Sequence, residues 1–308
     1  MHRFGATLAF AVNGGEDNQS PMPTSMMRLL LIVVLTTMLT ACPGRVLNAA
    51  TKRVADGLAK AVLNENDLAT ARDGLPSYLL VVDGLIISSP DNADLLSAGA
   101  RLYSTYATNF VTDPERAQRL SEKARTYAKQ RLCIDVEDLC NKLEKPLDEF
   151  DKSLSKTDAE DVPALYGYGE AWASWIQTHS GDWSAIADLP KVKAIMQRVV
   201  ELNENYEHGN AHLYLGVIAS QVPQDMGGKP EDGRLEFERA IRLSEGQNLI
   251  AKVLYAKYYA RLTFDRDLHD RLLHEVLAST AEVDGMVLSN TIAKQQAQTL
   301  LKTADDYF

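Results

Sequence analysis

The sequence predicts an all-α fold of stacked helical hairpins, and three observations predict it. The 18 Gly and 11 Pro among 308 residues amount to about 9%, against roughly 12% in an average chain, which disfavours a turn-rich sandwich or barrel. Apolar residues recur at helical spacing nearly throughout. No convincing period-2 run of strand length occurs; Leu79 to Val82 and Leu85 to Ile87 are the β-like candidates, and their flanks read better as helix. With 45% apolar and 24% charged residues the chain is not disordered. A net charge of −10 with no basic stripe repels phosphate backbones and disfavours nucleic acid as a partner.

From the N-terminus, residues 1–41 read as a leader and secretory signal. Arg28 precedes the apolar run Leu29 to Leu35, and small residues lead into Leu39-Thr40-Ala41-Cys42. The run is too short to span a membrane, which takes about 20 apolar residues. The polar stretch Gly14 to Gln19 sits awkwardly upstream of a signal, so Met26 or Met27 is the better start. The tetrad ending at Cys42 resembles a bacterial lipobox, which implies cleavage before Cys42 and lipidation of its sulfur. Residues 42–50 then form a lipidated linker, and 51–308 a single all-helical domain. Residues 1–41 carry two Arg and two acids, so maturation leaves the charge unchanged.

The helical series begins at Val54, Leu58 and Val62. Leu75 to Ile87 follows, with Pro76 as an early helical residue, and Asp91 and Asn92 cap a helix over Ala93 to Phe110. Asp113-Pro114-Glu115 opens the next helix, which runs to about Leu132. Cys133 and Cys140 are seven apart, about 10.5 Å along a continuous helix and beyond disulfide reach, so a bond requires a turn between them. An exported chain meets conditions in which disulfides persist, and a second helix opening around Asp138 allows that turn; two half-buried thiols are the alternative. Gly84 to Ser89, Val199 to Glu204 and Ala240 to Glu245 resemble one another, each an apolar helix end before a polar break. The last two stand 41 residues apart, near a helical-hairpin repeat length, and Pro90 with Ala93 has a tetratricopeptide flavour. Such hairpins bury their apolar faces by stacking into a cryptic tetratricopeptide-like α-solenoid or compact array.

Catalytic signatures are mostly absent. Gly167-Tyr168-Gly169-Glu170-Ala171-Trp172 imitates a dinucleotide fingerprint, but Trp172 stands where the third Gly belongs and no strand precedes it. His208 and His212 stand at i, i+4 with no third ligand to name, so a metal-dependent hydrolase is the weakest reading and no cofactor is expected. Tyr166, Tyr168, Trp172, Trp175 and Trp183 are a broad aromatic group that is either core or a ligand or partner surface. The loop Pro223 to Pro230, with Met226, Gly227 and Gly228, is a rigid, shaped connection and a second candidate surface.

Certain segments carry a family resemblance. Asp161-Val162-Pro163-Ala164-Leu165-Tyr166, Ala171-Trp172-Ala173 and Trp175-Ile176 come first. Pro223 through Gly227-Gly228 to Phe237-Glu238-Arg239-Ala240 follows, then Leu288-Ser289-Asn290, Ala293, Ala297, Leu300-Leu301 and Asp305-Asp306-Tyr307-Phe308. In that order they resemble the T-component lipoproteins of TRAP transporters. Gly233 departs from the pattern where a small helix-former such as Ala is expected, which loosens the start of that helix. The resemblance implies a periplasmic lipoprotein held at the membrane by its N-terminal lipid and associated with the solute-binding P component of a tripartite ATP-independent transporter. It also implies a homotrimer with a central, largely apolar pore that passes or shields a hydrophobic ligand; the leading reading is a non-enzymatic uptake helper that handles a hydrophobic or carboxylated ligand. A tetratricopeptide-like docking lipoprotein of envelope assembly is the alternative.

Overall fold

In the computed structural model, which describes residue 57 and residues 59–308, the first long helix is opened by Asp67. The leader and signal, Cys42, the 42–50 linker, Val54 and Leu58 lie outside the described residues. The Asp67 carboxylate accepts from the Ala69 and Thr70 amides and starts α1 (Leu68–Ser88), satisfying donors that a helix N-terminus otherwise leaves open. The helix expected from Leu75 therefore begins seven residues earlier, and Pro76 lies inside it rather than at its start. Ala71, Leu75, Leu79, Val82 and Ile86 form its buried face.

Asn92 caps α2 (Ala93–Asn109) through the Leu95 amide. Asp113 caps α3 (Pro114–Asp135), with Pro114 at the first position, where its missing N–H costs nothing. The chain breaks at Val136 before the short helix Glu137–Cys140. That break brings the Cα atoms of Cys133 and Cys140 to 5.0 Å, inside the window a disulfide requires. There follow α4 (Leu147–Leu154), α5 (Val162–Thr178), α6 (Leu189–Asn203), α7 (Asn210–Ala219) and α8 (Pro230–Leu243). Then come α9 (Leu249–Leu254), which continues as a π-helical stretch Tyr255–Ala260, α10 (Arg266–Ala278) and α11 (Val287–Lys302). The described residues contain no strand, so the fold is all-α as expected. All three similar segments are helix C-termini, those of α1, α6 and α8.

Neighbouring helices bury continuous apolar clusters. One joins α1, α2 and α3, a second α3, α5, α6 and α7, and a third α7 to α11. Leu288 and Ile292 of α11 pack into the first cluster. Asn64 closes the same contact by donating to Asp284 and accepting from the Gly285 amide. The helices thus form a compact array in which the last long helix returns to the first, rather than an open solenoid.

Gly233 reverses its expectation. It is buried in α8 where an added Cβ would press on the Ser220 hydroxyl and the Gly216 carbonyl, while Gly216 lies against the Phe237 ring. The missing side chain does not loosen α8; it lets α8 cross α7 closely, and that close packing offsets the roughly 1 kcal/mol of helix propensity that a glycine forgoes.

Candidate functional site

The loop between α7 and α8 is shaped by its own backbone. The amides of Met226 and Gly228 both donate to the Pro223 carbonyl, each at 3.0 Å, and Gly227 donates to Gln224 at 2.9 Å. Gly227 takes φ +84°, where glycine carries no Cβ penalty. Gly228 lies so close to the Val222 carbonyl that any Cβ there would collide with backbone. With α6, α7 and α8 the loop lines a groove of about 440 Å³. Leu215, Ile218 and Ala219 supply its apolar lining, Lys193 and Lys229 its positive charges, and Asp232 and Glu236 its negative ones. Val222 and Met226, the latter 77% exposed, also line it. Replacement of Gly228 by Ala is expected to leave the helical content intact and change the groove, because the collision is confined to the loop; unaltered amide chemical shifts over Ser220–Lys229 would contradict this.

Glu236 links the groove to a half-exposed network of charged groups around the buried His212. Its carboxylate lies 2.5 Å from His212 Nδ1, while His212 Nε2 is 3.5 Å from Glu204. Glu204 is held in turn by Arg239 at 2.5 and 2.7 Å, whose hydrogen bonds keep the Glu204 carboxyl below its usual range. These contacts tie the end of α6 to α7 and α8. His208 takes no part: α7 begins only at Asn210, and His208 is an exposed residue of the preceding turn. The i, i+4 reading of the two histidines is therefore corrected, since they do not share one helix. Among the described residues no three His, Cys, Asp or Glu side chains gather as metal ligands.

The aromatic group divides. Tyr168 and Trp172 are each 1% exposed and belong to the core of α5. For these two a partner surface is corrected to packing: they sit on the face of α5 that meets its neighbours, and Trp172 Nε1 donates to Asp188. Trp175 is half-buried, with the Arg125 guanidinium 4.2 Å from its ring centroid and His179 stacked at 4.6 Å. Trp183, 83% exposed, stands apart on the short helix Trp183–Ile186.

Tyr166, 4% exposed, is likewise corrected from surface to core, where it belongs to a different constellation. Its ring meets those of Tyr206 and Tyr214 edge-on, with centroids at 5.3 and 6.2 Å, and the Tyr214 hydroxyl donates to Glu170 at 3.4 Å. Arg101 of α2 pairs with Glu207 at 2.7 Å. Glu207, His208 and Gly209 take three consecutive positive φ values of 47°, 58° and 77°, which for the first two is a strained conformation. Gly209 also packs against Leu243, where a Cβ would not fit. Burial raises the Glu170 carboxyl above its usual range against the counter-pull of Arg101, and it pushes the Tyr166 and Tyr214 phenols well up. Arg101 loses ground to burial but is more than restored by Glu170 and Glu207. No motif in the sequence singles out Glu170. One signal could have found it, since it is the single charged residue in Val162–Thr178.

Two comparisons cover most of the chain. A family model described as TRAP transporter T-component matches residues 64–308. A protein of Treponema pallidum (strain Nichols) described as uncharacterized is 25% identical over 264 residues, covering 79% of this chain and 81% of the relative.

Proposed function

Since this chain belongs to the TRAP transporter T-component family, we propose that it serves a tripartite transport system as a non-enzymatic periplasmic lipoprotein that scaffolds the solute-binding P component. Family membership supports the transport accessory role. The groove between α6, α7 and α8 supports the scaffolding reading: it combines an apolar lining, the exposed Val222 and Met226, and charges of both signs. A rigid apolar anchor site with a polar surround is what a protein interface needs at its centre. The ligand it would help to handle is hydrophobic or carboxylated, and a homotrimer would supply the apolar pore.

The test is binding of the purified P component of the same system to the immobilised full chain. Gly228→Ala should weaken capture at least tenfold through the altered loop, while an exposed change remote from it, Trp183→Ala, should leave capture unchanged. Absence of capture by the unaltered protein would end the scaffolding reading.

Anchoring at Cys42 and a Cys133–Cys140 disulfide complete the proposal. Several acyl chains hold a protein firmly where one binds only marginally. Intact mass of the membrane-extracted protein should show a chain beginning at Cys42, heavier by its acyl groups and lighter by two hydrogens for the bond. An unmodified chain that begins at Met1, Met26 or Met27 would exclude the anchor, and two free thiols would exclude the disulfide.

A further inference from the structure

The groove between α6, α7 and α8 has two chemically different ends. Glu204 at the end of α6 and Glu236 of α8 both meet His212 of α7, which fixes one end. Lys193 stands eleven residues before Glu204, about 16 Å back along α6 at 1.5 Å per residue. It therefore lies toward the loop, where Lys229 precedes the first turn of α8. Both lysines line the groove at that end, and Asp232 and Glu236, one and two turns further along α8, line it beyond them. Leu215 and Ile218, on one face of α7 by their i, i+3 spacing, supply an apolar floor.

The charges at these ends are free for a ligand. Lys193, Lys229 and Asp232 are exposed and make no ion pair or side-chain hydrogen bond among the described residues. The other charged residues from Glu231 to Arg239 are all paired. A single exposed lysine is ordinary; opposite charges at the two ends of an apolar floor form a pattern. Glu236 gives one carboxylate oxygen to His212, which is 5% exposed and holds it in place, and its other oxygen can still accept. The loop is tied by its own amides to the Pro223 carbonyl, and close packing at Gly216 and Gly233 sets α7 against α8. The groove thus exists before anything enters it, and a preformed site loses little freedom on binding.

From this geometry we propose that the groove binds a short apolar zwitterion, the size of a tripeptide with free ends. Its carboxylate would meet Lys193 and Lys229, its ammonium Asp232 and Glu236, and its apolar side chains the floor. The lengths agree: Lys229 and Glu236 are seven residues apart, about 10.5 Å along α8, and three extended residues span about 10 Å. A cavity of about 440 Å³ falls within the roughly 300–1,000 Å³ of small-molecule sites. A single amino acid carries its two charges too close together to reach both ends. A fatty carboxylate would set an apolar tail against two carboxylates. The proposal deepens the ligand-handling part of the function proposed above; it shares the groove with the scaffolding reading but needs no contact with the P component, for which the exposed Met226 remains.

Trileucine titrated into the full chain by calorimetry should bind saturably. N-acetyl-trileucine, which lacks the ammonium, and trileucine amide, which lacks the carboxylate, should each bind about fivefold more weakly, the scale of an exposed charge pair. Triglycine and free leucine should bind more weakly still. Lys193→Gln should weaken trileucine but not its amide, and Asp232→Asn should weaken trileucine but not its acetylated form, both without loss of thermal stability. No saturable binding of trileucine, a capped form that binds as tightly as trileucine, or variants that bind trileucine unchanged would overturn the proposal. Trileucine binding by a chain that captures no P component would end the scaffolding reading and leave this one standing. Capture of the P component without trileucine binding would do the reverse.

Discussion

Trp172→Ala should lower the free energy of unfolding by about 3–5 kcal/mol, the usual loss for a large aromatic removed from a core. The ring is 1% exposed, sits among Tyr168, Ile195 and Met196 in the second apolar cluster, and stacks under Arg125 at 5.2 Å. Its removal takes away transfer energy, opens a cavity in α5 packing, and strands Asp188 without the indole N–H it accepts from at 3.1 Å. Trp183→Ala, by contrast, should change stability by less than about 0.5 kcal/mol, as surface substitutions generally do. Urea unfolding of both variants measures the difference. Equal losses would show that the division of the aromatic group into one buried part and one exposed member is wrong.

Asp83→Ala should cost about 2–4 kcal/mol at neutral pH, because it removes one acceptor from three donors. Asp83 of α1 accepts from the Tyr103 hydroxyl at 2.7 Å, the Tyr127 hydroxyl at 2.7 Å and Lys123 Nζ at 2.5 Å. One carboxylate therefore pins α1 to both α2 and α3. Burial alone would raise its carboxyl, but the bonds from Lys123, Tyr127 and Tyr103 outweigh that and hold it below the ordinary value of 3.8. The same carboxylate pushes the Tyr127 phenol, already raised by burial, to about 12. A lowered carboxyl means that the unfolded chain binds the proton first as pH falls. The stabilisation is thus fully present above the ordinary value and disappears as pH drops through the lower folded one. Unfolding curves of the two proteins should be separated at pH 7 and converge in the most acidic range. A gap that stayed constant down to pH 2 would mean that the loss is packing rather than the ionised acceptor.

Much of this fold was legible because helix ends are written locally. Asn92 and the Asp113-Pro114 pair act within four residues of themselves, so the starts of α2 and α3 could be read directly from the chain. The start of α1 could not: Pro76 is a strong local signal, and it was outweighed by the Asp67 cap and by burial of Ala71 one turn earlier. The turn at Val136 was legible as a requirement of the cysteine spacing rather than as a pattern. The Met226-Gly227-Gly228 loop announced its rigidity through its residues, yet the groove also depends on a helix 33 residues before Met226, at Lys193.

Periodicity, caps and composition by themselves determined the helical class, because each acts over one or two turns. Family membership was legible for the same reason: ordered segments of sequence carry it without reference to their contacts. What a side chain faces was decided by the tertiary structure alone. Trp172 and Trp183 read alike in sequence, and stacking of α5 against its neighbours buried one while the other was left in solvent. Glu170 and Arg101 stand 69 residues apart, and only the packing of α2 beside α5, with a left-handed turn delivering Glu207, makes them members of one charged cluster. Local propensity has no term for such a meeting; it arises when apolar faces are buried and carry their polar neighbours with them.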